Sequence, residues 1–113
     1  MSSTYIIAEL SANHNNDFDL AVRTIKAMSE SGADAVKVQT YTADSLSIDV
    51  DNEYYKPKTE GLWKGYRPYE LYKEAAMPYE WQPKLQKVVR KLGLEFFSSP
   101  FDKEGIDFLE ELN

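Results

Sequence analysis

The chain has 113 residues, 42% hydrophobic and 28% charged, a balance that suits one small globular domain and excludes a disordered segment. Its 13 basic and 19 acidic residues give a formal charge of -6, which argues against a nucleic-acid-binding face and means that an anionic ligand must be gripped by a local cation. With no cysteine, disulfide and thiolate chemistry are excluded. No apolar run approaches the roughly 18 residues of a membrane span, and no leader pattern opens the chain, so the expected location is the cytoplasm.

Thr4 to Glu9 is a short, β-prone, nearly unbroken apolar run, the pattern of a parallel strand covered on both faces. A polar loop follows from Ser11 to Asn16. Asn16 or Asp17 can cap the next helix by accepting a free backbone N–H, and Phe18, Ala21, Ile25 and Met28 make its apolar stripe. Gly32 stands where a left-handed helix stop is wanted. Ala35 to Thr40 is the second strand. Residues 42–67 have no clear period and read as a long excursion rich in Asp, Lys, Tyr and Gly. Pro68 to Ala76 is a short helix with proline at a first-turn position. Trp81, Leu85, Val88 and Leu92 give a further helical stripe that ends at Gly93, with Pro83 in its first turn. Leu94 to Ser98 is the third strand. Asp102 caps a last helix whose buried face is Ile106, Leu109 and Leu112.

The order β-α-β-(insert, α)-α-β-α implies parallel pairing through right-handed crossovers. The fold class expected is α/β, specifically the N-terminal portion, about three βα units, of a (β/α)8 TIM barrel, which in full takes roughly 250 residues. No domain boundary falls inside the chain, and the stop at Asn113 reads as a truncation.

Active sites of this architecture lie at the C-terminal ends of the strands. Side chains alternate across a strand, so Lys37 and Gln39 share a face that Tyr41 extends. Glu9 and Ser99 end the flanking strands. If those faces point into a barrel, Glu9, Gln39 and Ser99 lie at the rim, with Lys37 one layer below. A lysine within an apolar strand needs a partner. It is either a cation for a carboxylate or phosphate ligand or half of a structural ion pair with Glu9. Glu9 can bind hydroxyls, hold a metal-bound water or move a proton, or simply pair with Lys37. Gln39 can donate to and accept from a polyol. His14, the single histidine, cannot make a metal site by itself and reads as a loop organiser. Ser98 to Asp102 leads into a helix N-terminus, either an anion cradle or an ordinary cap. The aromatic insert (Tyr54, Tyr55, Trp63, Tyr66, Tyr69, Tyr72) can line a sugar pocket or pack against another surface. No Walker loop, Gly-rich dinucleotide turn or Ser-His-Asp set is present.

Ile6-Ile7-Ala8-Glu9-Leu10, Asn13-His14-Asn15, Gly32 to Thr40 and Phe97-Ser98-Ser99-Pro100-Phe101-Asp102 together resemble the sialic acid synthase family. Ser11-Ala12, Tyr41-Thr42, Asp51-Asn52-Glu53-Tyr54, Gly61-Leu62-Trp63 and Tyr79-Glu80-Trp81-Gln82-Pro83 resemble its pseudaminic acid synthase branch. The resemblance implies condensation of phosphoenolpyruvate with an open-chain amino sugar and release of phosphate. For this branch the sugar is 2,4-diacetamido-2,4,6-trideoxy-L-altrose, and another nonulosonic acid such as N-acetylneuraminic or legionaminic acid is the alternative product. It implies a divalent metal, Mn2+ or Mg2+, that polarises the aldehyde, and a homodimer with a small C-terminal antifreeze-like domain. Carried over, Lys37 and Ser99 match contacts to phosphoenolpyruvate, and Gln39 and Glu9 match the sugar and metal-water side. Glu9 and Lys37 are thus the catalytic candidates, and Lys37, Gln39, Ser99, Asn13 and Tyr41 the substrate-binding ones. The family's metal-binding histidines fall beyond Asn113, so the 113 residues alone are expected to bind no metal and to be inactive. A non-catalytic, self-associating βα module is the reading from a different class.

Overall fold

The computed structural model describes residues 3–113. Strand β1 (Ile7–Glu9) leads to helix α1 (Phe18–Glu30), and strand β2 (Ala35–Thr40) to the short helix α2 (Ala43–Leu46). After the insert come α3 (Pro68–Ala75), α4 (Trp81–Lys91), strand β3 (Glu95–Pro100) and α5 (Lys103–Leu112). The three strands form one parallel sheet in the order β1-β2-β3. These are consecutive βα units, the arrangement of the N-terminal portion of a (β/α)8 barrel.

Local chemistry sets the element ends. Asp17 caps α1 by accepting from the Leu20 N–H at 3.1 Å, and Asp102 caps α5 by accepting from the Gly105 N–H at 2.8 Å. Gly32 and Gly93 end α1 and α4 at φ 95° and 79°, a region costly for residues with a Cβ. Strand β1 is shorter than the run Thr4 to Glu9. At its entry the Ile6 N–H is taken by the Asp34 carboxylate at 2.7 Å instead of a ladder carbonyl.

One face of the sheet carries the core. Val36 and Val38 are fully buried there against Ala21 and Ile25 of α1, Leu85 and Val89 of α4, and Leu10 and Met77. A polar chain lies on the same side, with Thr40 and Gln82 fully buried and Ser98 partly so. The Gln82 side-chain amide donates to Thr40 Oγ1 at 2.8 Å, Thr40 Oγ1 bonds Ser98 Oγ, and Ser98 Oγ donates to the Val38 carbonyl at 3.0 Å. It ties α4 to the C-terminal halves of β2 and β3.

The other face is open. Ile7 and Phe97 remain 49% and 42% exposed, so β1 is not covered on both sides as its apolar run implies. Two helical stripes also differ from expectation. In α4 the fully buried residues are Gln82, Leu85 and Val89, while Val88 is only partly buried and Leu92 lies at the exposed C-cap. In α5 it is Gly105 that packs inward; a Cβ there would meet Pro100 at 3.3 Å and Thr40 at 3.4 Å. Ile106, Leu109 and Leu112 instead border a groove of about 390 Å³ with Phe96 and Phe97, because β3 is an edge strand. The insert is irregular apart from α2, and Arg67 anchors it by pairing with Asp49 at 3.0 Å and Glu70 at 3.1 Å. No helix among the described residues is long and apolar enough to cross a membrane.

Candidate functional site

Ladder register decides which strand-end residues meet. Glu9 pairs with Lys37, Lys37 with Phe97, and Gln39 with Ser99. In a parallel sheet, laterally paired residues project from the same face. Glu9, Lys37, Gln39 and Ser99 therefore share the open face, with Glu9 level with Lys37 and Gln39 level with Ser99. The second row is two residues nearer the C-terminal edge, about 6–7 Å along the strands. Glu9 thus does not sit beside Gln39 at the rim; β1 ends one step short of β2, and the pairing sets it beside the lysine.

Lys37 Nζ lies 3.3 Å from Glu9 Oε2, and both side chains are about one-third exposed, at 33% and 30%. The second oxygen, Oε1, accepts from the Ser11 N–H at 3.2 Å, so the carboxylate is aimed by the loop after β1. Oε2 is buried and has no aligned donor; its contact with the ammonium is Coulombic rather than a well-formed hydrogen bond. A pair this accessible contributes on the order of 1 kcal/mol or less to stability. An ammonium has three donors, and Glu9 is its only ion-pair partner among the described residues. The arrangement leaves Lys37 the capacity to take an anionic ligand on the open face.

The remaining candidates sit elsewhere. Asn13 is exposed in the turn after β1, with its N–H on the Leu10 carbonyl at 3.1 Å. Tyr41 lies past the end of β2, is 6% exposed and packs its ring 5.3 Å from that of Phe101. Burial, then the neighbouring Tyr72, pushes its phenol above the ordinary value. Ser98 projects away from the site, and its hydroxyl is committed within the polar chain. The α5 N-terminus is already filled by the Asp102 carboxylate, which also accepts from Ser45 Oγ at 3.0 Å. That end is an ordinary cap rather than an anion cradle, since a second anion there would meet a like charge. Gln82 is a buried residue that composition does not reveal; its only signal is that it stands three and seven residues before Leu85 and Val89 on the same helical face.

His14 organises the loop from within. It is 1% exposed, its Nδ1 accepts from the Asn16 N–H at 3.1 Å, and its ring meets Trp81 edge-on at 5.3 Å. Burial holds its pKa below the ordinary 6.5. The unfolded chain therefore binds a proton near pH 6.5 that the folded chain resists. Stability from this residue is fully present above that pH and is lost as pH falls through it. Urea midpoints measured at about pH 7.5 and about pH 5.5 are expected to drop at the lower value, and His14→Gln is expected to remove that part of the drop. Equal slopes in both proteins would contradict the assignment. Among the described residues no three His, Cys, Asp or Glu side chains come together as a metal site, and the single histidine is buried. A divalent metal does not fit these residues.

The model of the NeuB family matches residues 24–113. A pseudaminic acid synthase from Campylobacter jejuni subsp. jejuni serotype O:23/36 (strain 81-176) is 47% identical over 109 residues, covering 96% of this chain and 32% of that protein. An N,N'-diacetyllegionaminic acid synthase from Legionella pneumophila subsp. pneumophila is 39% identical, covering 96% of this chain and 30% of that protein. The solved N-acetylneuraminic acid synthetase from Leptospira borgpetersenii serovar Hardjo-bovis superposes with a TM-score of 0.77 at 26% identity, over 99% of this chain and 34% of that one. The chain spans about a third of the length of these relatives. With a matching family model over most of its residues and a shared βα architecture, the chain belongs to the NeuB family.

Proposed function

We propose that this chain supplies the first strands of the catalytic mouth of a nonulosonic acid synthase. The reaction proposed is condensation of phosphoenolpyruvate with 2,4-diacetamido-2,4,6-trideoxy-L-altrose to give pseudaminic acid and phosphate. C3 of the donor bonds to the sugar aldehyde carbon, water adds at C2, and phosphate leaves with cleavage of its C–O bond. Lys37 holds an anionic group of the donor, and Glu9 keeps the ammonium oriented. Gln39 and Ser99, one row nearer the rim, offer hydrogen bonds to the reacting partners. The observation that carries this reading is the Lys37–Glu9 contact of 3.3 Å on an uncovered sheet face, level with Phe97 and below Gln39 and Ser99.

The pseudaminic product is favoured by the 47% identity to a synthase named for it. The 39% identity to a legionaminic acid synthase supports a second reading, a different nonulosonic acid. Phosphate release by a full-length synthase carrying this sequence separates them. Assayed with phosphoenolpyruvate and each candidate sugar in turn, release with the trideoxy-altrose is expected; release only with a different amino sugar would reject the pseudaminic reading.

The 113 residues alone are proposed to be inactive and to self-associate. The radius of gyration is 16.0 Å, against roughly 13 Å for a compact domain of this length. The open sheet face, the β3 edge and the α5 groove are the surfaces that seek cover. Sedimentation is expected to give a mass that rises with concentration; a clean monomer that unfolds cooperatively would contradict this.

A further inference from the structure

The polar chain behind the sheet can run in only one direction. Ser98 Oγ lies 3.0 Å from the Val38 carbonyl, which can only accept, so the single Ser98 proton points there. Thr40 Oγ1 must then give its own proton to Ser98 Oγ and is left to accept. The donor it accepts from is the Gln82 side-chain amide at 2.8 Å. Each hydroxyl donates once and accepts once, and Gln82, 0% exposed, starts the series. Its other amide atom, Oε1, is buried with no partner among the described residues. An unpaired buried carbonyl costs stability, whereas a leucine of similar bulk would join Leu85 and Val89 on the same face without that cost. Packing therefore does not account for a glutamine at this position; the donated hydrogen bond does.

What the chain holds is the rim of the open face. Thr40 and Ser98 are not ladder partners: Ser98 pairs with Val38 and Thr40 with Pro100. Their hydroxyl bond therefore runs diagonally, from the residue after Gln39 to the residue before Ser99, across the back of the rung in which Gln39 pairs with Ser99. Neighbours on a strand project to opposite faces, so the bond fixes from behind the two side chains that the open face presents. Beyond the rung, the Phe101 N–H closes onto the Thr40 carbonyl at 3.2 Å. Gly105 lets α5 press on Thr40, since a Cβ there would lie 3.4 Å from Thr40 Cγ2. Lys37 has a different support, the Glu9 carboxylate aimed by the Ser11 N–H. We infer that Gln82 is a positioning residue for the Gln39–Ser99 rung: through Thr40 and Ser98 it sets the height and orientation of the two groups that meet the substrates, and it does not act on Lys37. The inference rests on the synthase reading and deepens it.

The test is steady-state kinetics and thermal melting of a full-length synthase carrying this sequence. Gln82→Leu is expected to lower kcat/KM roughly 10-fold, within what a displaced contact costs, in an enzyme that melts near the wild-type midpoint. Where the unpaired Thr40 hydroxyl lowers the midpoint, Gln82→Leu combined with Thr40→Val replaces both polar partners by apolar groups of like shape. That pair is expected to restore stability and to keep the kinetic loss. The background separates positioning from a general structural effect. In Ser99→Ala, the further loss caused by Gln82→Leu is expected to shrink to about 2-fold or less, because the rung is already broken; in Lys37→Met it is expected to persist in full. Wild-type kcat/KM in both Gln82 variants, or the same further loss in the two backgrounds, would overturn the inference. Wild-type kinetics in Ser99→Ala and Lys37→Met themselves would instead overturn the synthase reading, and the inference with it.

Discussion

In a full-length synthase carrying this sequence, Lys37→Met is expected to lower kcat/KM for phosphoenolpyruvate by roughly 30- to 1,000-fold. That range corresponds to about 2–4 kcal/mol for removing a charged donor from an ionic ligand in a partly desolvated site. Methionine keeps the unbranched stem and its packing but removes the ammonium. In the proposed role the contact is made to the bound donor as well as in the transition state, so much of the loss is expected in KM. Stability provides the contrast. The pair with Glu9 is about one-third exposed on both sides, so a purely structural lysine would show a melting shift worth about 1 kcal/mol or less with unaltered kinetics. Glu9→Gln is expected to reduce activity less, because the amide oxygen can still accept from the Ser11 N–H, as Oε1 does at 3.2 Å. Steady-state kinetics alongside thermal melts of the three proteins decide the matter; wild-type kinetics in Lys37→Met would refute the role.

Leu85→Ala is expected to destabilise the 113-residue chain by about 2–5 kcal/mol, the range for emptying a fully buried leucine site. Leu85 is 0% exposed and sits in α4 within the core cluster that backs Val36 and Val38. The core has a single layer on one face of three strands, with little to collapse into the vacancy. Small domains hold only about 5–15 kcal/mol in total, so the variant is expected to be largely unfolded at modest urea concentrations. Lys103→Ala removes only an exposed ion pair with Asp107 and is expected to move the midpoint little. A Leu85→Ala midpoint matching that of Lys103→Ala would show that the core does not hold the sheet.

The elements most legible in the sequence are those with one face against the core. Strand β2 matches the run Ala35 to Thr40, α1 follows its apolar stripe between Asp17 and Gly32, and α4 lies between Trp81 and Gly93 as expected, with its buried face shifted to Gln82, Leu85 and Val89. Strand β3 runs Glu95–Pro100, not Leu94 to Ser98, because its ladder continues to the pairing of Thr40 with Pro100, which residue type does not disclose. The same limit explains Glu9. Alternation gives the face on which a side chain lies, but the height of one strand against its neighbour is fixed by pairing, and only the register puts Glu9 beside Lys37. Tyr41 illustrates a second limit. It follows the last residue of β2, where alternation no longer applies, and the turn into α2 buries it against Phe101. A glutamine in a helical stripe, such as Gln82, reads as a surface residue, whereas Thr40 and Ser98 supply the polar partners that let it be buried.

The most direct test of the strand face is a crystal structure of a full-length synthase carrying this sequence with phosphoenolpyruvate bound. A carboxylate or phosphate oxygen of the ligand is expected within about 3 Å of Lys37 Nζ, on the side of the sheet that bears Gln39 and Ser99. Donor density lodged elsewhere, with Lys37 still paired to Glu9 alone, would contradict it.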